Sequence, residues 1–319
     1  MANPSYIDAY KQGVLAQKSR ETLQMLEHCM ICPRKCGTNR LRDEQGFCRT
    51  GRLAVTCSYF AHYGEEPPIS GEHGSGTIFF SRCNLQCLYC QNYQFSQKDE
   101  GKPMEARELA DCMLSLQKEG CHNINVVTPT HVMPQILEAL LLAVGDGLNI
   151  PIVYNTSGYE LTETLKILEG IVDIYLPDMR YSTEEPARLF SNAADYPRVN
   201  REAIKEMHRQ VGGAVFNDDG TIRRGMIIRH LVLPQDASGT EETLRFIAEE
   251  ISRETYVSLM SQYFPAYLAD KHPPLDRRLH LEEFEEAVAC LKRFGLDNGW
   301  IQEAGGLQRF AGTHIKRNT

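Results

Sequence analysis

The chain has 319 residues, 42% hydrophobic and 24% charged, with a single Trp and 11 Cys; that length fits one large α/β domain or two smaller ones, with a core ample enough to need no disulfides. Its 34 basic and 42 acidic residues leave a net charge of -8, which argues against a general nucleic-acid binder because phosphate attraction demands a basic face. Mean hydropathy is -0.37, no window carries the roughly 18 uninterrupted apolar residues of a membrane span, and the opening MANPSYIDAYKQ lacks the basic and apolar regions of a secretory signal. The expectation is a cytoplasmic protein with no nucleic-acid or membrane partner, in a reducing compartment where grouped cysteines read as metal or cluster ligands.

Residues 1 to 28 read as one amphipathic helix. From Cys29 to about Ser75 the chain is rich in Gly, Cys and Arg and predicts a compact irregular module with little helix. Inside it Cys29, Cys32, Cys36 and Cys48 form C-x2-C-x3-C-x11-C. Four thiolates at that spacing suit a tetrahedral zinc site or a fully ligated iron–sulfur cluster, and spacing does not choose between them; a set of unligated thiols stays open beside both. Arg34, Lys35, Arg40, Arg42, Arg49 and Arg52 lie among these cysteines, as a site for a small anion or partner or as a solvated basic loop.

After Gly76 short apolar runs alternate with amphipathic stretches. Runs at 77–80, 124–127, 152–154, 172–176, 226–233 and 256–260 predict six strands. Stretches at 104–118, 133–144, 161–168, 184–191, 201–211, 241–251 and 281–294 predict helices. Strands separated by helices predict a parallel sheet, since a parallel pair needs a long crossover. Six such units fit an α/β fold, a partial (β/α)6 barrel, with 1–75 as an N-terminal helix and cysteine-rich extension and 76–319 as the barrel with its C-terminal helix and tail. Chemistry in β/α architectures sits on the loops at the carboxyl ends of the strands, which here begin at Cys83, Thr128, Asn155, Asp178, Pro234 and Ser261.

The first of these loops holds Cys83, Cys87 and Cys90 at C-x3-C-x2-C. Three thiolates on one loop can hold three irons of a [4Fe-4S] cube, leaving a fourth iron for the amino and carboxylate groups of a bound cofactor. The motif, with Tyr89 just before its last cysteine, resembles the signature of radical S-adenosylmethionine (SAM) enzymes. Asn92, the run 174–180, the run 229–234, the run 259–263 and the segment 299–302 narrow the resemblance to pyruvate formate-lyase activating enzyme-like proteins, which are related to the activases of glycyl radical enzymes.

The resemblance implies an enzyme whose [4Fe-4S] cluster, on Cys83, Cys87 and Cys90, reductively cleaves SAM for hydrogen abstraction, with a glycyl radical on a partner enzyme as one outcome. It implies SAM contacts from Tyr89, Asn92, Asp178, Arg180, Arg229, Leu231 and Gln262 or its neighbour Tyr263, and an electron donor such as flavodoxin or ferredoxin. Two departures stand out. Where many such enzymes carry Gly-Gly-Glu this chain has Thr128-Pro129-Thr130-His131, so Thr128 and Thr130 are expected to serve the SAM amine. Where an Asp precedes Thr-Asn-Gly it has Asn155-Thr156-Ser157-Gly158, with Asn155 and Ser157 as SAM contacts. His131 reads either as a proton relay or SAM contact, or as a packing residue. Cys57, Cys112, Cys121 and Cys290 read as ordinary core or surface residues. Two other functions stay open: radical modification of a small molecule or peptide side chain, and a non-catalytic metal-binding or electron-transfer module.

Overall fold

The computed structural model describes residues 3–302. Its strands are β1 (Ala54–His62), β2 (Ser75–Phe80), β3 (Lys102–Met104), β4 (Ile124–Val127), β5 (Ile152–Thr156), β6 (Ile174–Pro177), β7 (Val215–Phe216), β8 (Ile222–Leu231), β9 (Tyr256–Met260) and β10 (Gly299–Ile301). They make one sheet in the order β10-β9-β8-β6-β5-β4-β2-β1-β3, with β7 beside β8. Every pairing from β2 across to β10 is parallel, and β1 joins β2 and β3 antiparallel. β3 and β10 are its edges, so the sheet is open, a mixed α/β arrangement consistent with a partial barrel.

The central strands β2, β4, β5 and β6 are buried on both faces, as a parallel sheet covered by crossover helices requires. Ile78, Phe80, Val126, Tyr154, Tyr175 and Ile228 face the helices and form the main core with them. Their alternates Val153, Ile174, Leu176 and Ile227 pack on the opposite face around Ile69, delivered by the short helix Pro67–Ser70. Each such side chain contributes about 1.5–3 kcal/mol on burial. One register step beyond this apolar layer the same face carries Asn155 and Arg229, so the period of two sets polar side chains above a plug of aliphatic ones.

The six predicted strands all form, and the helices at 106–118, 133–145 and 184–191 lie where the periodicity puts them. Other expectations need correction. The first helix is two, Ser5–Lys11 and Val14–Gln24, because Gly13 adopts φ 75, and a 3-10 turn follows at Met25–His28. The stretch 29–75 is not irregular throughout, since its residues 54–62 are the nine-residue β1. The helix expected from 201 begins at Tyr196, because Pro197 falls in its first turn, where no N–H is needed. Asn155 does not begin a loop but pairs within β5 against Val127 and Leu176. Among the described residues no helix is long and apolar enough to cross a membrane.

Candidate active site at the carboxyl ends of the strands

The chain leaves β2 at Phe80 and turns through Arg82, whose φ is 69. Ser81 N–H donates to Val55 O at 2.8 Å and Arg82 N–H to Phe95 O at 2.8 Å, which anchors the start of the cysteine loop. Leu88 N–H then donates to Phe190 O at 2.9 Å, pinning the loop's middle to the helix Glu184–Ser191. Each thiol has a polar neighbour. Leu85 N–H donates to Cys83 Sγ at 3.3 Å, Ser191 Oγ donates to Cys87 Sγ at 2.9 Å, and Cys90 Sγ lies 3.1 Å from Ser96 Oγ.

Burial pushes the Cys83 thiol up to about 12, with Cys87 beside it adding to the rise, and burial likewise raises Cys90. Thiols gathered out of water ionise when a cation compensates them. Among the described residues no three Cys, His, Asp or Glu side chains are arranged to hold a single metal ion. Three thiols placed this way, with hydrogen bonds aimed at the sulfurs, fit a cluster that gives each thiolate its own iron.

Across from the loop lies a charged network built on strand ends. Asp178 follows β6 directly and bridges Arg229 of β8 in parallel register. Arg229 Nε donates to Asp178 Oδ1 at 2.8 Å, and its Nη2 donates to Asn155 Oδ1 at 2.6 Å. Arg180 Nη2 donates to Asp178 Oδ2 at 2.6 Å, so the Asp178 carboxylate holds both guanidinium groups. Arg180 Nε is buried without a partner. Its positive charge opposes the rise of Cys83 and Cys90, which places it electrostatically between the network and the thiols.

Two residues of this network were not anticipated. Glu65 and Glu66, on the connection between β1 and β2, are brought under Arg229, and Arg229 Nη1 lies 3.4 Å from Glu65 Oε2. Burial raises both carboxyls while Arg229 opposes the rise. The adjacent acidic pair before Pro67-Pro68 was the only sequence signal, and it reads equally as a surface turn.

Of the remaining expected residues, Tyr89 and Leu231 pack beside the thiols and Gln262 touches the cysteine loop through Gln91. Tyr89 is buried edge-on to Tyr181 and Tyr263 and accepts from Tyr181 Oη at 2.8 Å, Leu231 packs on the cluster of side chains around Cys87, and Gln262 O accepts from Gln91 Nε2 at 3.1 Å. Asn92 precedes the short helix Tyr93–Ser96 with its Oδ1 buried and unpartnered. Ser157 contributes its carbonyl to Tyr196 Oη at 2.7 Å, while its own hydroxyl is buried without a partner. Thr128 adopts φ 59 and donates its N–H to Asn155 O at 2.9 Å. Thr130 is directed elsewhere, its hydroxyl donating to Glu160 Oε1 at 2.6 Å in a fully buried pocket.

Gly158 shapes the network from behind. Its φ is +73, and a Cβ there would stand 2.1 Å from Asn200 Nδ2 and 2.5 Å from Asp178 O. Asn200 Nδ2 donates to both Gly158 O and Asp178 O. Gly158→Ala is therefore expected to destabilise the chain by about 1–3 kcal/mol, by displacing Asn200 and Asp178. Urea titration checks the effect.

His131 is a packing residue in this arrangement. It is fully buried on the turn Thr130–Val132, and its Nε2 donates to Ser81 O at 2.9 Å. Burial lowers it from 6.5 to about 3, with Arg40 and Arg82 adding to the effect. Below pH 6.5 the unfolded chain binds a proton that the folded chain refuses, so this group removes stability as pH falls toward 3. Glu160 acts with the opposite sign. Burial raises it from 4.5 to about 7, so its protonated form favours the folded chain below 4.5 and that contribution is lost as pH rises through 7. His131→Gln should therefore gain on the wild type by up to about 1.4 kcal/mol per pH unit below 6.5. Urea midpoints at acid and neutral pH read this difference, and a gap that does not widen on acidification would contradict it.

Cys112, Cys121 and Cys290 sit in the main core, and Cys57 packs partly buried against Phe79 and Phe95. Of the N-terminal cysteines, Cys29, Cys32 and Cys48 are buried and Cys36 is exposed. The arginines among them are not a solvated basic loop throughout. Arg40 is 1% exposed, Arg49 pairs with Asp99 at 2.7 Å and Arg52 with Glu138 at 2.7 Å.

Comparison with known proteins agrees with this geometry. Residues 77–247, from β2 to the helix before β9, match the Radical SAM superfamily. The chain is also 31% identical over 301 residues to an uncharacterized protein of Methanocaldococcus jannaschii, covering 91% of this chain and 82% of that protein.

Proposed function

The chain belongs to the radical SAM superfamily, and from that premise we propose that it cleaves SAM and takes a hydrogen atom from a backbone glycine of a partner enzyme. The family implies a [4Fe-4S] cluster and SAM; when bound, that pair supplies a 5'-deoxyadenosyl radical after one-electron reduction of the sulfonium. The observation that carries the reading is the buried loop with Cys83, Cys87 and Cys90, each thiol with a polar neighbour, facing Arg180.

This chain's own residues do the rest. Cys83, Cys87 and Cys90 would hold the cluster. Arg180, steadied by Asp178 and with its Nε unpartnered, would hold the SAM carboxylate through a charge-assisted contact. Arg229 and Asn155 fix the Asp178 carboxylate from the other side. Tyr89, Leu231 and Tyr263 exclude water beside the thiols. The electron comes from a low-potential carrier of the flavodoxin or ferredoxin type. The test is anaerobic incubation of the reduced protein with SAM and a candidate glycyl radical enzyme. A doublet in the electron paramagnetic resonance spectrum of that partner supports the reading, and its absence with SAM consumed argues against a glycine target.

A second reading, a small polar substrate, is favoured by one feature. Glu65 and Glu66 are buried beneath Arg229, Glu65 Oε1 lying 3.6 Å from His62 Nδ1 and Glu66 Oε2 making no hydrogen bond of ordinary geometry, so a ligand hydroxyl or amino group would find acceptors there. Deuterium transfer from a labelled small molecule into 5'-deoxyadenosine distinguishes this reading from the first.

A further inference from the structure

We propose that Cys29, Cys32, Cys36 and Cys48 hold an iron–sulfur cluster of their own, ligated by protein thiolates alone and docked on the loop that carries Cys83. The proposal rests on the N-terminal segment and needs no activity at the strand ends.

The four cysteines are drawn together by tight turns. Cys29 N–H donates to Thr38 O at 3.0 Å, Gly37 N–H to Cys29 O at 2.9 Å and Lys35 N–H to Cys32 O at 3.0 Å. Phe47 N–H donates to Cys36 Sγ at 3.3 Å, the same contact that Leu85 N–H makes with Cys83 Sγ. Backbone at Gly46 touches the thiol directly, for a Cβ there would lie 2.7 Å from Cys36 Cβ and Sγ.

Arg40 gives the independent sign of a charged occupant. It is 1% exposed, its Nε donates to Gly51 O at 3.1 Å, its Nη1 points to Cys29 Sγ at 3.7 Å and its Nη2 is buried without a partner. Among the described residues no carboxylate pairs with it. A buried guanidinium requires a counter-charge, and neutral thiols do not provide one. Thiolates ligating a metal centre do.

The arrangement favours a cluster over zinc. Zinc gathers four thiolates about one point at about 2.3 Å, whereas here Cys36 is exposed while Cys29, Cys32 and Cys48 are buried. A cluster spreads its thiolates over several irons. In both sets a backbone N–H donates to a cysteine sulfur, Phe47 to Cys36 and Leu85 to Cys83, so one kind of occupant suits both.

Docking is through residues next to cysteines on each side. Arg34, between Cys32 and Cys36, donates from Nε to Asn84 O at 2.8 Å and stacks over Phe47 at 3.7 Å. Arg82 Nη1 donates to the carbonyl of Arg49, the neighbour of Cys48, and both arginines pair with Asp99. With four protein ligands the N-terminal cluster has no open iron for SAM.

The test is metal and sulfide analysis after anaerobic reconstitution. A Cys83→Ser, Cys87→Ser, Cys90→Ser variant is expected to keep iron and acid-labile sulfide in equal amounts, with a spectrum unchanged by SAM. Adding Cys29→Ser and Cys32→Ser should remove both. As a check on folding, Cys29→Ser, Cys32→Ser alone should lose part of the wild-type iron yet keep a spectrum that SAM perturbs. One zinc per chain without sulfide in the first variant, or wild-type iron content in the last, would overturn the proposal.

Discussion

Alanine at Cys87 is expected to lower the yield of 5'-deoxyadenosine from SAM by about 10⁴-fold or more, as removal of one member of a catalytic unit does. Cys83→Ala and Cys90→Ala should do the same. The thiols share one loop, and a cube that loses one of three protein ligands has two irons without protein thiolate. The fold should survive, since Ser191 Oγ keeps Tyr181 Oη at 2.6 Å as a partner once Cys87 is gone. Cys121→Ala is the control, because Cys121 lies in the main core away from the loop. Product analysis by chromatography, with urea titration of each variant, separates lost chemistry from lost structure.

Arg229→Ala is expected to cost about 3–5 kcal/mol, because it leaves buried carboxylates without their cation. The side chains of Arg229, Asp178 and Glu65 are 16%, 11% and 4% exposed. With Arg229 removed, the largest influence opposing the burial that raises Glu65 is gone, and a hydrogen bond with Asn125 remains. A carboxyl with a raised folded pKa favours the folded state below its unfolded value and loses that contribution as pH rises. The deficit of the variant should therefore shrink on acidification. Adding Glu65→Gln and Glu66→Gln, which removes the carboxyls that take their counter-charge from Arg229 and leaves Asp178 to Arg180, should recover much of it at neutral pH. Urea midpoints for the single and triple variants measure both effects, and a triple variant no more stable than Arg229→Ala would contradict the charge argument.

The local parts of this account were legible in the sequence, because their causes are local. Cys83, Cys87 and Cys90 are fixed by spacing, and the runs at 124–127 and 256–260 contain the apolar residues that a doubly covered strand needs. β1 was hidden because its antiparallel partners require no crossover helix, and its neighbours are rich in Gly, Cys and Pro. Thr130 was placed by chain position at the SAM amine, yet Glu160, 30 residues away, captures its hydroxyl. Glu65 and Glu66 enter the network through pairing of β1 with β2, which no local pattern announces. Arg40 looked like a surface cation, and only the fold around the cysteines buries it.

SAM cleavage itself is the most direct measurement. The wild-type protein, reconstituted anaerobically with iron and sulfide and reduced with dithionite, should convert SAM to methionine and 5'-deoxyadenosine in equal amounts, and the Cys87→Ala protein should not. Intact SAM in the wild-type reaction, with the cluster loaded and reduced, would contradict the central claim.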